Sequence, residues 1–179
     1  MSDEVVPDNK NWTWVLRRPC GECKFDASSF DVRRSEAALR DLGIRWVKVL
    51  QRSDVRQRPR PEVWSPLEYG CHVRDVFRKF DERLALMLAK DDPKFENWDQ
   101  DRTALEDDYP SQLPSEVASE LRIAADVLAG RFGTVSSEQW VRRGHRSDGS
   151  VFTVESIARY LMHDPVHHLW DVGAEIPEY

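Results

Sequence analysis

Apolar residues recur along this chain at the spacing of helix faces, in four separate stretches. Between Ser29 and Gln51, the residues Leu39, Leu42, Trp46, Val49 and Leu50 fall on one side. Gly43 weakens that stripe without ending it. The second stretch has the clearest start. Ser65-Pro66-Leu67-Glu68 puts serine at the N-cap, proline at the first helical position and glutamate at the third, the pattern of a capping box. Tyr69, Val73, Val76, Phe77, Phe80, Leu84, Met87 and Leu88 then form its stripe, with His72 among them. A third helix is predicted from Ser115 to Phe132, burying Val117, Leu121, Ala124, Ala125, Leu128 and Phe132. The fourth opens at Thr153, whose hydroxyl can cap it, with Phe152 and Ile157 at the two positions of a hydrophobic staple. Val154, Ile157, Ala158 and Leu161 give its apolar face.

The connections differ in kind. Residues 52–63 are polar and interrupted by proline. Residues 89–112 are long and acidic, and lack the Asp-x-Asp spacing, central glycine and terminal glutamate of a calcium loop. They read as a solvated loop folded back over the helices, anchored by Phe95 and Trp98. Residues 140–153 read as a β-hairpin turning at Asp148-Gly149, with His145 exposed in it. The expectation is an all-α fold: a four-helix bundle with a crossover between helices 2 and 3, plus a small β-hairpin before helix 4. Short links make helices 1 and 2, and 3 and 4, antiparallel. The long link lets 2 and 3 run parallel, so 2 and 4 are antiparallel. The bundle spans 29–171, after an irregular arm (1–28) and before a short tail (172–179).

Composition narrows the function. At 179 residues the chain can bury a substantial core in one domain. A net charge of −6 disfavours nucleic-acid binding, which needs clustered Lys and Arg. No apolar run is long enough to span a membrane, and the acidic start MSDEVVPDNK has no signal-peptide core, so a cytoplasmic protein without a membrane partner is expected. Three cysteines do not make a secreted disulfide framework. Seven tryptophans is a high count: large aromatics can line a pocket, although core and interface packing is their ordinary use.

The candidate chemistry lies in histidines. His163 and His167 are one helical turn apart and can share an ion. Antiparallel packing of helices 2 and 4 brings His72 to their level. Three neutral imidazoles with a free position form the ligand set of a catalytic divalent metal, zinc first, with nickel or iron also suited. Asp75 and Asp164 are candidate carboxylates for the second ring nitrogens. His168 is a rival to His167, but about 140° around the helix from His163. Two features oppose convergence. Pro165 interrupts the helix between the pair, and on an ideal wheel His163 and His167 share a stripe with Ser156, Tyr160 and Trp170 rather than with Ile157 and Leu161. Cys20-x-x-Cys23 in the arm has three readings: inert thiols, a metal knuckle completed by non-cysteine ligands, or a redox pair.

Trp64-Ser-Pro-Leu-Glu-Tyr-Gly-Cys-His72 with Asp75, followed by Phe152-Thr-Val and His163-x-x-x-His167, resembles the DinB superfamily. That superfamily includes mycothiol-dependent maleylpyruvate isomerase N-terminal-like proteins and bacterial thiol S-transferases. The resemblance implies a four-helix bundle with a divalent metal on His72, His163 and His167. Three functions then compete. The first is a metal-dependent transferase or isomerase using a low-molecular-weight thiol such as mycothiol, acting on a small molecule, with Arg74, Arg159 and Tyr160 near enough to help hold an anionic one. The second is a metal-dependent hydrolase. The third is a non-catalytic binding or stress protein, a homodimer through its tryptophan-rich surface.

Overall fold

The computed structural model describes Val5 and residues 11–179. Four long helices form the bundle: α1 (Ser35–Leu50), α2 (Pro66–Ala89), α4 (Pro114–Gly133) and α5 (Val154–Asp171). A short helix, α3 (Gln100–Glu106), lies in the crossover. Side-chain pairings give the directions. Arg40 meets Asp126 and Gly43 meets Ala125 while Glu36 lies against Gly133, so α1 and α4 are antiparallel. Arg74 pairs with Glu120 and Asp81 with Arg131, so α2 and α4 run parallel. His72 faces Asp164 while Phe80 faces Tyr160, so α2 and α5 are antiparallel. This is the expected crossover topology.

Both predicted helix starts are present. The Ser65 hydroxyl accepts from Glu68 N–H, and the Glu68 carboxylate accepts from Ser65 N–H at 2.8 Å. Thr153 and Ser156 close the equivalent box on α5, with Phe152 and Ile157 both buried at the staple positions. Helix α1 starts later than its apolar pattern suggested, because residues 32–34 form a separate 3-10 turn capped by Asp31. Trp46 is fully buried in the core, and its indole N–H donates to the Pro165 carbonyl at 3.1 Å, fixing α1 against α5 at the proline through which the helix runs unbroken.

The crossover departs from a plain loop. Lys94–Phe95 forms a strand, β1, that pairs in parallel with β2 (Arg143–Arg146), and β2 pairs antiparallel with β3 (Val151–Thr153). The hairpin is therefore part of a three-stranded sheet that ties the crossover to the entry of α5. His145 is only partly exposed and lies 3.2 Å from Asp92. Helix α3 forms because the Asp99 side chain caps it by accepting Arg102 N–H. Only Ala104 of that helix is buried, so it has no apolar periodicity to reveal it. Among the described residues, no helix is long and apolar enough to cross a membrane.

Candidate metal centre

Helix α5 carries the sequence His163-Asp164-Pro165-Val166-His167-His168, which contains two pairs at four-residue spacing, offset by one residue. One residue is about 100° of rotation on a helix. The pairs therefore face different neighbours, and the expected trio of His72, His163 and His167 is divided between two clusters.

His72 falls with Asp164 and His168, which each offer a ligand atom within 4.8 Å of the others. His72 Nε2 is 3.3 Å from Asp164 Oδ1, and His168 Nε2 is 3.8 Å from the same oxygen. His168 Nδ1 is 2.7 Å from Asp171 Oδ2. An ionised carboxylate only accepts, so Nδ1 carries the proton and the Nε2 lone pair is left for the cluster. Asp164, predicted as an outer partner, thus lies among the three residues that could hold an ion, and Asp171 stands behind His168 where an outer carboxylate would. Asp75 is elsewhere, bound to Arg74 and Tyr109. No hydrogen bond reaches His72 Nδ1; its ring is held by indoles instead, stacked on Trp98 at 5.5 Å and 2° and packed against Trp64. Burial raises the Asp164 pKa, but the facing imidazoles of His72 and His168 outweigh it and hold the carboxyl below its ordinary range.

His163 and His167 face the arm. Their ring nitrogens and the sulfurs of Cys20 and Cys23 offer four ligand atoms within 4.8 Å of one another, and all four residues are buried. Cys20 Sγ lies 3.6 Å from His167 Nδ1, and His163 Nε2 is buried with no hydrogen-bond partner. Burial pushes the His163 pKa down to about 4, with His167 beside it adding to the effect, so the ring is neutral at neutral pH and keeps one nitrogen lone pair free.

Both clusters border one cleft of about 430 Å³, the size of a small-molecule site. Trp12 and Glu22 of the arm, Arg60 and Trp64 before α2, and Asp101 on α3 complete its wall. The acidic side chains there are Glu22, Glu62, Asp101, Asp164 and Asp171, against Arg60 as the one basic side chain among the described residues. Tyr160 lines it, but Arg74 is spent on Asp75 and Glu120, and Arg159 on Glu155. The tryptophans are divided likewise: Trp46 is core, Trp12 and Trp64 line the cleft, and Trp170 is exposed.

Comparison with known proteins bears on the fold. A family model described as the DinB superfamily matches residues 34–172. The chain belongs to the DinB superfamily. Its DinB fold is also found in a solved structure, YfiT from Bacillus subtilis, described as a probable metal-dependent hydrolase with an unusual four-helix bundle topology. The two share 17% identity at a TM-score of 0.62, over 96% of this chain and 95% of that one. At that identity the likeness speaks for the DinB bundle and not for the chemistry. No curated protein matches the chain. Sequence reading of this DinB chain named Asp164 as an outer carboxylate and His168 as a rival to His167, without grouping the two with His72 as donors. The signal was present, since Asp164 and His168 have the same four-residue spacing as the histidine pair.

Proposed function

We propose that this protein is a metal-dependent hydrolase of neutral or cationic small molecules, with the metal held by His72, Asp164 and His168. The observation that carries this is a donor set of two imidazoles and one carboxylate beside an acidic cleft. The fit to a cation is supported by Asp164 Oδ1, buried and without a hydrogen-bond partner although two imidazoles face it. A divalent metal bound there supplies Lewis acidity and lowers the pKa of water to near neutral.

The chain's own groups do the rest. Asp171 fixes the tautomer of His168, the Tyr69 ring packs on that imidazole at 4.9 Å, and Trp98 and Trp64 hold His72 between them. Trp12, Trp64 and Tyr69 give the cleft apolar faces for the body of a substrate. The excess of carboxylates repels anions, which argues against an anionic electrophile of the kind the isomerase reading needs. It leaves room for thiol transfer to an uncharged acceptor as the second reading.

The test is turnover of a panel of neutral and cationic esters and amides by metal-loaded protein, with and without an added low-molecular-weight thiol. Thiol-independent hydrolysis, lost in His72→Ala and His168→Ala and weakened in Asp171→Asn, is expected. Consumption of substrate only when thiol is present would replace hydrolysis with thiol transfer. Full activity in His168→Ala would refute this ligand assignment.

A further inference from the structure

The geometry points to a second, closed metal site on an adjacent face of α5, about 100° around the helix: a zinc ion held by Cys20, Cys23, His163 and His167. It would pin the N-terminal arm to the bundle. This site is independent of the hydrolase reading and shares no ligand with it.

The pattern of donors is that of a structural zinc site, a C-x-x-C knuckle joined to an H-x-x-x-H pair on a helix. The knuckle is built locally. Cys20 N–H donates to Phe25 O at 2.9 Å, Lys24 N–H donates to Cys20 O at 3.1 Å, and Lys24 takes a left-handed φ of 64° to close the turn. Both sulfurs therefore point the same way, into the bundle. Helix α5 then supplies two imidazoles one turn apart. A tetrahedral zinc, with Zn–S near 2.3 Å and Zn–N of 2.0–2.1 Å, sets a sulfur-to-nitrogen edge of about 3.6 Å. The Cys20 Sγ to His167 Nδ1 distance is 3.6 Å.

The surroundings fit a cation better than a packed core. Two thiols and two imidazoles are buried together, where apolar side chains would pack without polar cost. His163 Nε2 is left there with no partner, a burial that a bound metal would satisfy. His167 has the outer carboxylates that ligating histidines carry, since Nδ1 faces the cysteine while Nε2 lies 3.6 Å from Glu22 and 3.8 Å from Asp171. Trp12 packs against both imidazoles at 5.3 and 5.1 Å. Four protein ligands leave no open position, so the role is structural: the ion would fix Trp12 and Glu22 as the arm's share of the cleft wall.

Cobalt substitution of the full-length protein tests this, because a thiolate-to-cobalt charge-transfer band reports cysteine ligation directly. The wild type is expected to show that band with tetrahedral ligand-field absorption, and to release an equivalent of zinc when its thiols are titrated with a mercurial. His72→Ala should keep the band while losing hydrolysis. His167→Ala and Cys23→Ser should lose it. Absence of the band in wild-type protein that is helical by circular dichroism would overturn the proposal without needing any variant. So would a Cys20–Cys23 disulfide in protein purified anaerobically, or a band unchanged in both His163→Ala and His167→Ala. Loss of the band in His72→Ala would show a single mixed site instead of two.

Discussion

Replacing Ser65 with alanine should cost more than an ordinary helix cap. The hydroxyl accepts Glu68 N–H at 3.3 Å and donates to the Glu68 carboxylate at 2.7 Å. Both residues are only 2% exposed, so water cannot take over either bond. Loss of an N-cap costs about 1 kcal/mol, and a buried hydrogen bond to a charged group about 1.5–3 kcal/mol. The Ser65 backbone N–H and the Arg58 guanidinium still serve the carboxylate in the variant. That partial compensation brings the expected loss to about 2–3 kcal/mol. With a urea slope near 2 kcal/mol/M for a chain of this size, the midpoint should fall by about 1–1.5 M with the slope unchanged. Ser65→Thr, which keeps the hydroxyl, should recover most of it. A midpoint shift below about 0.3 M in Ser65→Ala would mean that the capping box contributes little, and the reasoning from burial would be wrong.

Three further outcomes follow from the same kind of reading. Gly144→Ala should destabilise by about 1–3 kcal/mol in denaturant titration, since a Cβ there would lie 2.8 Å from the Phe95 ring and 2.9 Å from buried Met87. Gly133→Ala should instead be neutral or stabilising, because what it would meet is the tip of the half-exposed Glu36 side chain at the end of α4. Glu68 carries a pH signature. Burial raises its pKa, but Arg58 and Ser65 outweigh burial and hold it below the ordinary glutamate value of 4.5. A depressed carboxyl contributes stability that is present above that ordinary value and is lost as pH falls through the folded one. The stability gap between wild type and Glu68→Gln should therefore shrink on acidification below 4.5, measured as urea midpoints across pH; a gap constant with pH would contradict the depressed pKa.

The bundle was legible because its determinants are local and repeated. Val117, Leu121, Ala125 and Leu128 mark α4 by period alone, and Ser65 and Thr153 mark helix starts by chemistry. Even the pairing of α2 with α5 followed from loop lengths. Helix α3 and strand β1 were not legible, since one buries a single residue and the other gains its hydrogen bonds from β2, fifty residues away. The site was half legible. His72, His163 and His167 were recognised as metal-ligand types, but which imidazole joins which cluster depends on the rotation of α5 about its axis, and the sequence around Pro165 leaves that open. The structure sets it by placing Pro165 O on the Trp46 indole and Asp164 against His72. Cys20 and Cys23 were ambiguous for a simpler reason: the residues that complete their cluster lie some 140 positions later in the chain.

That rotational setting of α5 makes the helix behave as a keyed shaft. The arm engages it on one face through His163 and His167, and α2 engages it on the next through Asp164 and His168. Either grip alone would permit a small twist, but two grips about 100° apart resist turning in both senses. A mutation that inserts or deletes one residue between Thr153 and His163 would turn both keyways by the same angle. It would present Asp164 or Met162 where the arm expects an imidazole, so the two sites would fail together although they share no ligand.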